Sequence, residues 1–506
     1  MELLDFSAAN TQSIYQPQVV GRMDCVVDLV EALQPYAELA TPLEFQYLHA
    51  QVEELSLSLG LASDQLRYVL CLFAAYPLAV VYKLLPTPGL KHLMDVGVGV
   101  CMAQFVLGSG WVHSLISSLI TYALVKFGPP KYAPYIVFLF NMLYMSGSHI
   151  YRLYVDYMGW TLDFTGPQML LVIKLTSFAY NYYDGVVDKT AEKKGKELSA
   201  RQKLAISEIP SLVEFFGYVY SFTTFLAGPA FEIREYLDVT SGKKFLLNGK
   251  SKQPSSVLAA FSKFLVGSVL MAAFAVFGPQ YPLSNLHDPK IAALPLLWQL
   301  KDLYITLIFC KAKYYSAWKI AEGATVLSGF GFEGFNADGS SRGWNGVSNM
   351  DILGFEFAQS MRAASRAWNK GTQNWLERYV YTRTGNSLMA TYFISAFWHG
   401  FYPGYYFFFM SLPLATAVNR LAFKRLRPRF IEADGSFGLK KKVYDVLSLF
   451  LTQFAMHYFV MPFQAMSWEH SLATLKNTHF AGHIACVLLY VVFSAIPVPK
   501  PKKKAE

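Results

Sequence analysis

The sequence predicts an all-α, polytopic integral membrane protein with about eleven membrane helices, some tilted or re-entrant, around a central cavity. Three observations carry that prediction. Of the 506 residues, 53% are apolar and only 16% are charged, where an ordinary soluble chain carries about a quarter charged residues. Apolar runs close to the length of a bilayer-spanning helix recur from Leu66 to Val498. Pro229, Pro279, Pro295, Pro403, Pro413 and Pro462 fall at or inside those runs, and broken backbone at membrane depth is tolerated only where protein buries it or a cavity adjoins it. The same composition excludes a disordered polymer, a nucleic-acid-binding tail and a soluble cytosolic enzyme.

Residues 1–64 read as a cytosolic or interfacial leader, without the basic region and short apolar core of a cleavable signal peptide. Within it, 23–33 places Val26, Val27, Leu29, Val30 and Leu33 largely on one helical face, a pattern suited to a membrane surface. The membrane segments then follow at 66–85, 95–109, 111–127, 132–150, 168–183, 211–228, 256–278, 291–318, 387–417, 443–464 and 480–498. Those at 291–318 and 387–417 exceed a simple span, so tilt, kinks or re-entry are expected there. The expected organisation is a leader (1–64), one membrane domain (65–498) and a basic tail (499–506).

Lys and Arg number 44 against 35 Asp and Glu, a net charge of +9. The basic residues collect in three connections, 187–210, 232–255 and 423–442, where they meet anionic headgroups rather than nucleic acid. Excess Lys and Arg in such loops marks the cytosolic side. Lys503 and Lys504 stand fourth and third from the end of the sequence, similar to the dilysine retrieval signal of endoplasmic reticulum membrane proteins, which is read from the cytosol. A multi-pass endoplasmic reticulum protein with a cytosolic C-terminus is therefore expected. Cys25, Cys71, Cys101, Cys310 and Cys486 show no CxxC spacing, so unpaired thiols are expected rather than a disulfide framework or a zinc site. No internal repeat of the transporter kind is visible.

Among ten histidines, context separates His399. It sits in an aromatic stretch without Asp, Glu, Lys or Arg from Ser387 to Val418, where an ionisable ring is costly and by default functional. Desolvation favours its neutral form, the state that a general base needs. Gly400, Pro403 and Gly404 follow, so the helix is expected to break there and line a cavity. The competing reading is a histidine hydrogen-bonded between helices. Residues 360–383 predict an amphipathic helix with Ala364, Trp368, Thr372, Trp375, Leu376 and Tyr379 on one face and Arg362, Arg366 and Lys370 on another. Asn369, beside Trp368, has two readings: an amide donor to a developing oxyanion, or a partner for the backbone at Gly371. Lys311, Lys313, Tyr314 and Tyr315 close an apolar run, suited either to gripping a phosphorylated substrate or to an interfacial belt. No phosphate loop, HExxH, nucleophile elbow or dinucleotide fingerprint appears.

Taken together, these residues resemble the membrane-bound O-acyltransferase family, in its lysophospholipid acyltransferase branch. Trp398-His399-Gly400-Phe401-Tyr402-Pro403-Gly404-Tyr405 matches the branch's WHGxYPGY block. Trp368-Asn369 with Thr372 and Trp375 resembles its second signature. Lys311-Ala312-Lys313-Tyr314-Tyr315 is similar to its RxKYY block with Lys in the leading place. Phe178 to Tyr182 with Asp184-Gly185, and Gly228-Pro229 with Phe231 and Tyr236, resemble two further blocks. The similarity runs from near Leu59 through the last span.

The resemblance implies acyl transfer from acyl-CoA to the free hydroxyl of a lysophospholipid, with His399 as general base and Asn369 as its partner. It further implies substrate-binding positions at Trp368, Thr372, Trp375, Trp398, Tyr402, Tyr405, Lys311, Lys313, Tyr314 and Tyr315. Acyl-CoA is then a co-substrate, with no resident cofactor and no metal. Lipid substrates and membrane lipids are the expected partners, and nucleic acid is not. Two alternatives remain at this level: the same chemistry on a sterol, diacylglycerol or protein acceptor, and a non-enzymatic transporter using His399 as a proton relay.

Overall fold

In the computed structural model of the chain the described residues are 45–159, 161–188, 201–432 and 438–499, with Asp28, Glu31, Ala32 and Pro35. They pack as two units, one ending at Leu226 and the other beginning at Ala227. The surface helix expected at 23–33 lies outside the described residues apart from Asp28, Glu31 and Ala32, and so does the tail lysine cluster.

The first unit is a run of helices: α1 (Gln46–Leu59), α2 (Ser63–Leu84), α3 (Pro88–Leu107), α4 (Val112–Phe127), α5 (Ala133–Val155), α6 (Thr165–Val186) and α7 (Leu212–Val219). Thr87 caps α3, and Pro88 occupies its first position, where the missing N–H costs nothing. Gly99 lets α3 approach closely, since a Cβ there would meet the Tyr220 carbonyl oxygen at 1.8 Å. Helix α6 is buried along most of its length and carries Lys174, which is 1% exposed. The Lys174 ammonium donates to the carbonyls of Tyr218 and Val219, the last residues of α7, and so satisfies groups that a helix end leaves open. Asp95 of α3, also 1% exposed, lies within its electrostatic reach. The span expected at 211–228 is corrected here: only eight residues are helical. The chain then turns through 220–227, with Ser221, Thr223 and Thr224 buried.

The second unit opens with α8 (Ile233–Thr240) and a hairpin pairing Leu246–Leu247 with Lys250–Ser251 through Asn248 and Gly249. Both turn residues have positive φ, as a two-residue hairpin turn requires. There follow α9 (Val257–Phe277), α10 (Pro289–Ala292), α11 (Leu296–Leu327), α12 (Ile352–Glu356), α13 (Met361–Ala367) and α14 (Lys370–Trp375). The unit closes with α15 (Leu388–His399), α16 (Pro403–Leu421), α17 (Leu439–Ala465), α18 (Trp468–Asn477) and α19 (Ala481–Ala495). Helices α9 and α11 meet closely at Gly267, where a Cβ would sit 2.7 Å from Ile320 Cγ1. Near that contact the fully buried Glu322 accepts from Lys263 (2.6 Å) and Lys319 (2.9 Å).

The all-α membrane architecture stands. Among the described residues five stretches are long and apolar enough to cross a bilayer: Ser63–Leu84, Pro88–Phe127, Val257–Gln280, Pro403–Phe430 and Leu439–Ala465. The pair α18–α19, bent by 63°, would make a sixth. Helices α5, α6 and α11 are also long, but each carries polar or charged side chains through its middle, so apolarity alone does not count them. Among the described residues Cys71, Cys101, Cys310 and Cys486 are free thiols.

Candidate active site

Helix α15 starts on a Ser387 cap, whose hydroxyl accepts from the Ala390 N–H at 3.2 Å, and ends on His399. Gly400 takes φ 117° and ψ −159°, a conformation open to glycine and strained for other residues. The chain restarts as α16 with Pro403 in its first turn. The break expected after His399 is therefore present. Gly404 fixes the restart: its N–H donates to the Met466 carbonyl at 2.8 Å, and a Cβ there would lie 2.0 Å from the Pro462 carbonyl oxygen.

The His399 ring is half-buried in an aromatic shell. Phe409 stacks on it at 5.5 Å, and Phe463 meets it edge-on at 4.9 Å. Trp398 lies at 4.8 Å and Tyr405 at 5.7 Å. Tyr405 also contacts Tyr402 (5.8 Å) and Phe463 (4.6 Å). Such a shell lowers the local dielectric around the imidazole while leaving part of it accessible.

The single amphipathic helix expected over 360–383 is corrected. It breaks at Trp368–Asn369 into α13 and α14, and α14 continues as a π-helical stretch, Leu376–Tyr381. Asn369 is left-handed, with φ 40° and ψ 57°, a conformation that Asn tolerates better than most residues. Arg362, Arg366 and Lys370 therefore do not share one continuous helical face. The break is held from outside: the Asn349 carbonyl accepts from the Lys370 N–H (2.7 Å), and its Oδ1 accepts from the Gly371 N–H (3.0 Å). The Asp351 N–H donates to the Ala367 carbonyl at 3.0 Å. Of the two readings for Asn369, backbone support at Gly371 is thus supplied by Asn349, and the Asn369 side chain makes no capping bond.

The two signatures meet through tryptophans. Trp375, at the far end of the short helix that Asn369 begins, lies 6.2 Å from Trp398, the neighbour of His399; Thr372, on the same short helix, is buried. On the other side of Asn369, Trp368 sits in an aromatic nest of Tyr314 (6.3 Å), Tyr315 (5.7 Å), Trp318 (5.4 Å) and Phe355 (5.1 Å). Tyr314 is within electrostatic reach of Tyr405. The KxKYY segment on α11 thereby joins the same aromatic surroundings. Its first lysine is already engaged. Lys311 Nζ donates to both carboxylate oxygens of Glu356 (2.7 and 2.9 Å), and the Tyr315 hydroxyl donates to one of them at 2.7 Å. Lys313 Nζ lies 5.4 Å from the Tyr314 ring centre.

Sequence reasoning missed Asn349, Glu356, Gln453 and His457. Each is tied to the site by contacts across tens of residues of chain, a separation no local spacing encodes. Among the described residues no group of three or more His, Cys, Asp or Glu side chains is arranged to hold a metal ion. Chemically, the site offers an imidazole at a helix break and an amide at a second break, within connected aromatic walls.

Comparison with known proteins gives a consistent result. Residues 149–461 match the membrane-bound O-acyltransferase family. A lysophospholipid acyltransferase of Schizosaccharomyces pombe is 33% identical over 460 residues, covering 88% of this chain and 89% of that protein. Lysophospholipid acyltransferase 1 of Arabidopsis thaliana is 29% identical, covering 88% of this chain and 98% of that protein. Membrane-bound glycerophospholipid O-acyltransferase 2 of Gallus gallus is 30% identical over 90% of each.

Proposed function

The chain belongs to the membrane-bound O-acyltransferase family, and on that premise we propose that it transfers a fatty acyl chain from acyl-CoA to the free hydroxyl of a lysophospholipid. The observation that carries the reading is His399 at a glycine-broken helix end, with its neighbour Trp398 against Trp375 of the helix that Asn369 begins. The names of the relatives, all acyltransferases of lysophospholipids or glycerophospholipids, support the acceptor class.

A glycerol hydroxyl is too weak an acid to attack a thioester unaided. In this scheme the neutral His399 imidazole accepts the hydroxyl proton as the oxygen bonds to the thioester carbon. The carbonyl oxygen becomes an oxyanion, toward which the Asn369 amide N–H donates. The tetrahedral intermediate collapses with cleavage of the C–S bond, and the imidazolium returns its proton to the departing CoA thiolate. The proton balance closes within the site, so neither metal nor resident cofactor enters the scheme. Trp368, Thr372, Trp375, Trp398, Tyr402 and Tyr405 shape the walls, and Lys311, Lys313, Tyr314 and Tyr315 border the acceptor side. The tail lysines fit residence in the endoplasmic reticulum with the C-terminus in the cytosol, where acyl-CoA is available.

The test uses microsomes expressing the wild type, His399→Ala and Asn369→Ala at matched levels, with labelled acyl-CoA and a panel of lysophospholipid, sterol and diacylglycerol acceptors. His399→Ala is expected to lose at least about 100-fold in rate, and Asn369→Ala about 100-fold or more. Labelled product on a lysophospholipid supports the acceptor class, whereas product only on a sterol or diacylglycerol overturns it. A stably expressed His399→Ala protein with undiminished activity overturns the mechanism.

A further inference from the structure

Next to the aromatic nest lies a buried polar cluster that the acyl-transfer steps do not use. Gln453 and His457 stand one turn apart on α17, 3% and 4% exposed. Gln453 Nε2 donates to the Phe355 carbonyl. A carbonyl can only accept, so the amide orientation is fixed and Oε1 is the atom left over. That Oε1 has no hydrogen-bond partner among the described residues.

His457 repeats the pattern. Its Nδ1 lies 2.6 Å from the Gln453 backbone carbonyl, so Nδ1 carries the proton and donates. In the neutral ring Nε2 is then a lone-pair acceptor, and it too has no partner among the described residues. The contrast with His483 is direct: both of its ring nitrogens are bonded, to Ser411 Oγ and to the Tyr458 hydroxyl, each at 3.0 Å. Buried acceptors left without donors are costly, which points to a donor that arrives with a ligand.

The surroundings define that donor. Tyr304 packs its ring on His457 at 4.0 Å, and Lys311 is within electrostatic reach of the same imidazole. The Glu356 carboxylate, paired with Lys311, keeps 30% of its side chain exposed. The inventory is thus two unfilled neutral acceptors and a reachable carboxylate, beside an ammonium with one N–H not given to Glu356. Phe355 and Tyr315 both pack on Trp368, the neighbour of Asn369, so a lipid held here by its headgroup has its glycerol close to the proposed reacting groups.

We propose that this cluster is the headgroup site of the acceptor and selects a phosphodiester bearing a protonated primary amine. The ammonium donates to His457 Nε2, Gln453 Oε1 and Glu356, and the phosphate takes the remaining N–H of Lys311. The inference rests on the acyltransferase reading and specifies its substrate. A trimethylammonium headgroup carries the same charge without N–H donors, so the comparison between the two isolates the hydrogen bonds.

The experiment measures initial rates of the purified full-length protein in lipid nanodiscs with one acyl-CoA and two acceptors, lysophosphatidylethanolamine and lysophosphatidylcholine. The wild type is expected to show kcat/KM about tenfold or more higher for the ethanolamine lipid, as one or two hydrogen bonds would give. His457→Phe keeps the ring and removes the acceptor. It is expected to lower kcat/KM for the ethanolamine lipid far more than for the choline lipid, chiefly through KM, so that the ratio of the two falls toward one. Gln453→Leu shifts the same ratio in the same direction. Equal wild-type rates for both lipids, or variants that lower both alike, overturn the inference. If His457→Phe does not accumulate, the wild-type ratio and Gln453→Leu decide. Acylation of neither lipid would instead strike the acyltransferase reading on which the inference stands.

Discussion

Asn349 supplies the hydrogen bonds that the broken segment around Asn369 cannot make for itself. Its backbone carbonyl and its Oδ1 take the N–H groups of Lys370 and Gly371, the first two residues after the left-handed turn. Those N–H groups have no carbonyl one turn earlier to bond to, since the helix has only begun. With Asn349 only 6% exposed, water is a poor substitute. Replacement by alanine is therefore expected to destabilise the protein by about 1–3 kcal/mol through the stranded Gly371 N–H. It should also slow acyl transfer by letting Asn369 wander. Asn349→Asp retains the acceptor and should recover most of the rate. Thermal unfolding in detergent, together with initial rates for both variants, checks the claim; an Asn349→Ala protein with wild-type rate would show that Asn369 needs no such support.

At the scale of elements, the site is a set of helix ends rather than helix faces. α15 stops at His399, α16 starts four residues later, and α17 ends where its Pro462 and Met466 carbonyls surround Gly404. The joint tolerates no side chain at Gly404, because a methyl group would be driven 2.0 Å from a carbonyl oxygen. Gly404→Ala is expected to separate the two helices, cost about 1–3 kcal/mol and reduce turnover more than acyl-CoA affinity, since His399 is displaced while the lipid path remains. A kcat/KM split alongside the unfolding midpoint checks this. The break itself was legible: Gly400, Pro403 and Gly404 interrupt an apolar run in a way that only a broken helix satisfies. The break at Asn369 was not, because one left-handed residue leaves the spacing of Ala364, Trp368, Thr372 and Trp375 looking continuous. The run at 211–228 was apolar enough to read as a span. Where it stops, Lys174, a residue from another helix, takes the terminal carbonyls of α7, a partner that local sequence does not reveal. Likewise, the lysine at position 311 was legible as a cation, but its partner Glu356 stands 45 residues away.

Across the whole molecule the basic residues imply an orientation. Lys424, Arg425, Arg427 and Arg429 lie in the connection between α16 and α17, and Lys440, Lys441 and Lys442 follow in the first turn of α17. Arg425 donates to the Ser494 and Ile496 carbonyls (2.5 and 2.6 Å), and Arg429 donates to the Pro497 carbonyl (2.9 Å). The basic connection and the C-terminal end of α19 therefore share one side. The opposite ends of α16 and α17 meet at Gly404 and Met466, one helix length of about 28 Å away for the 19 residues of α16. We propose that the first side faces the cytosol, the side that an excess of Lys and Arg favours. Thiol labelling tests the assignment cleanly, because Cys71, Cys310 and Cys486 are buried and Cys101 is half-buried. In a Cys25→Ser background, Lys440→Cys should react with a membrane-impermeant maleimide in sealed microsomes. Glu469→Cys, exposed on the first turn of α18, should react only after the vesicles are permeabilised. The reverse pattern would place the basic connection in the lumen and turn the Gly404–Met466 joint, beside which His399 ends α15, toward the cytosol.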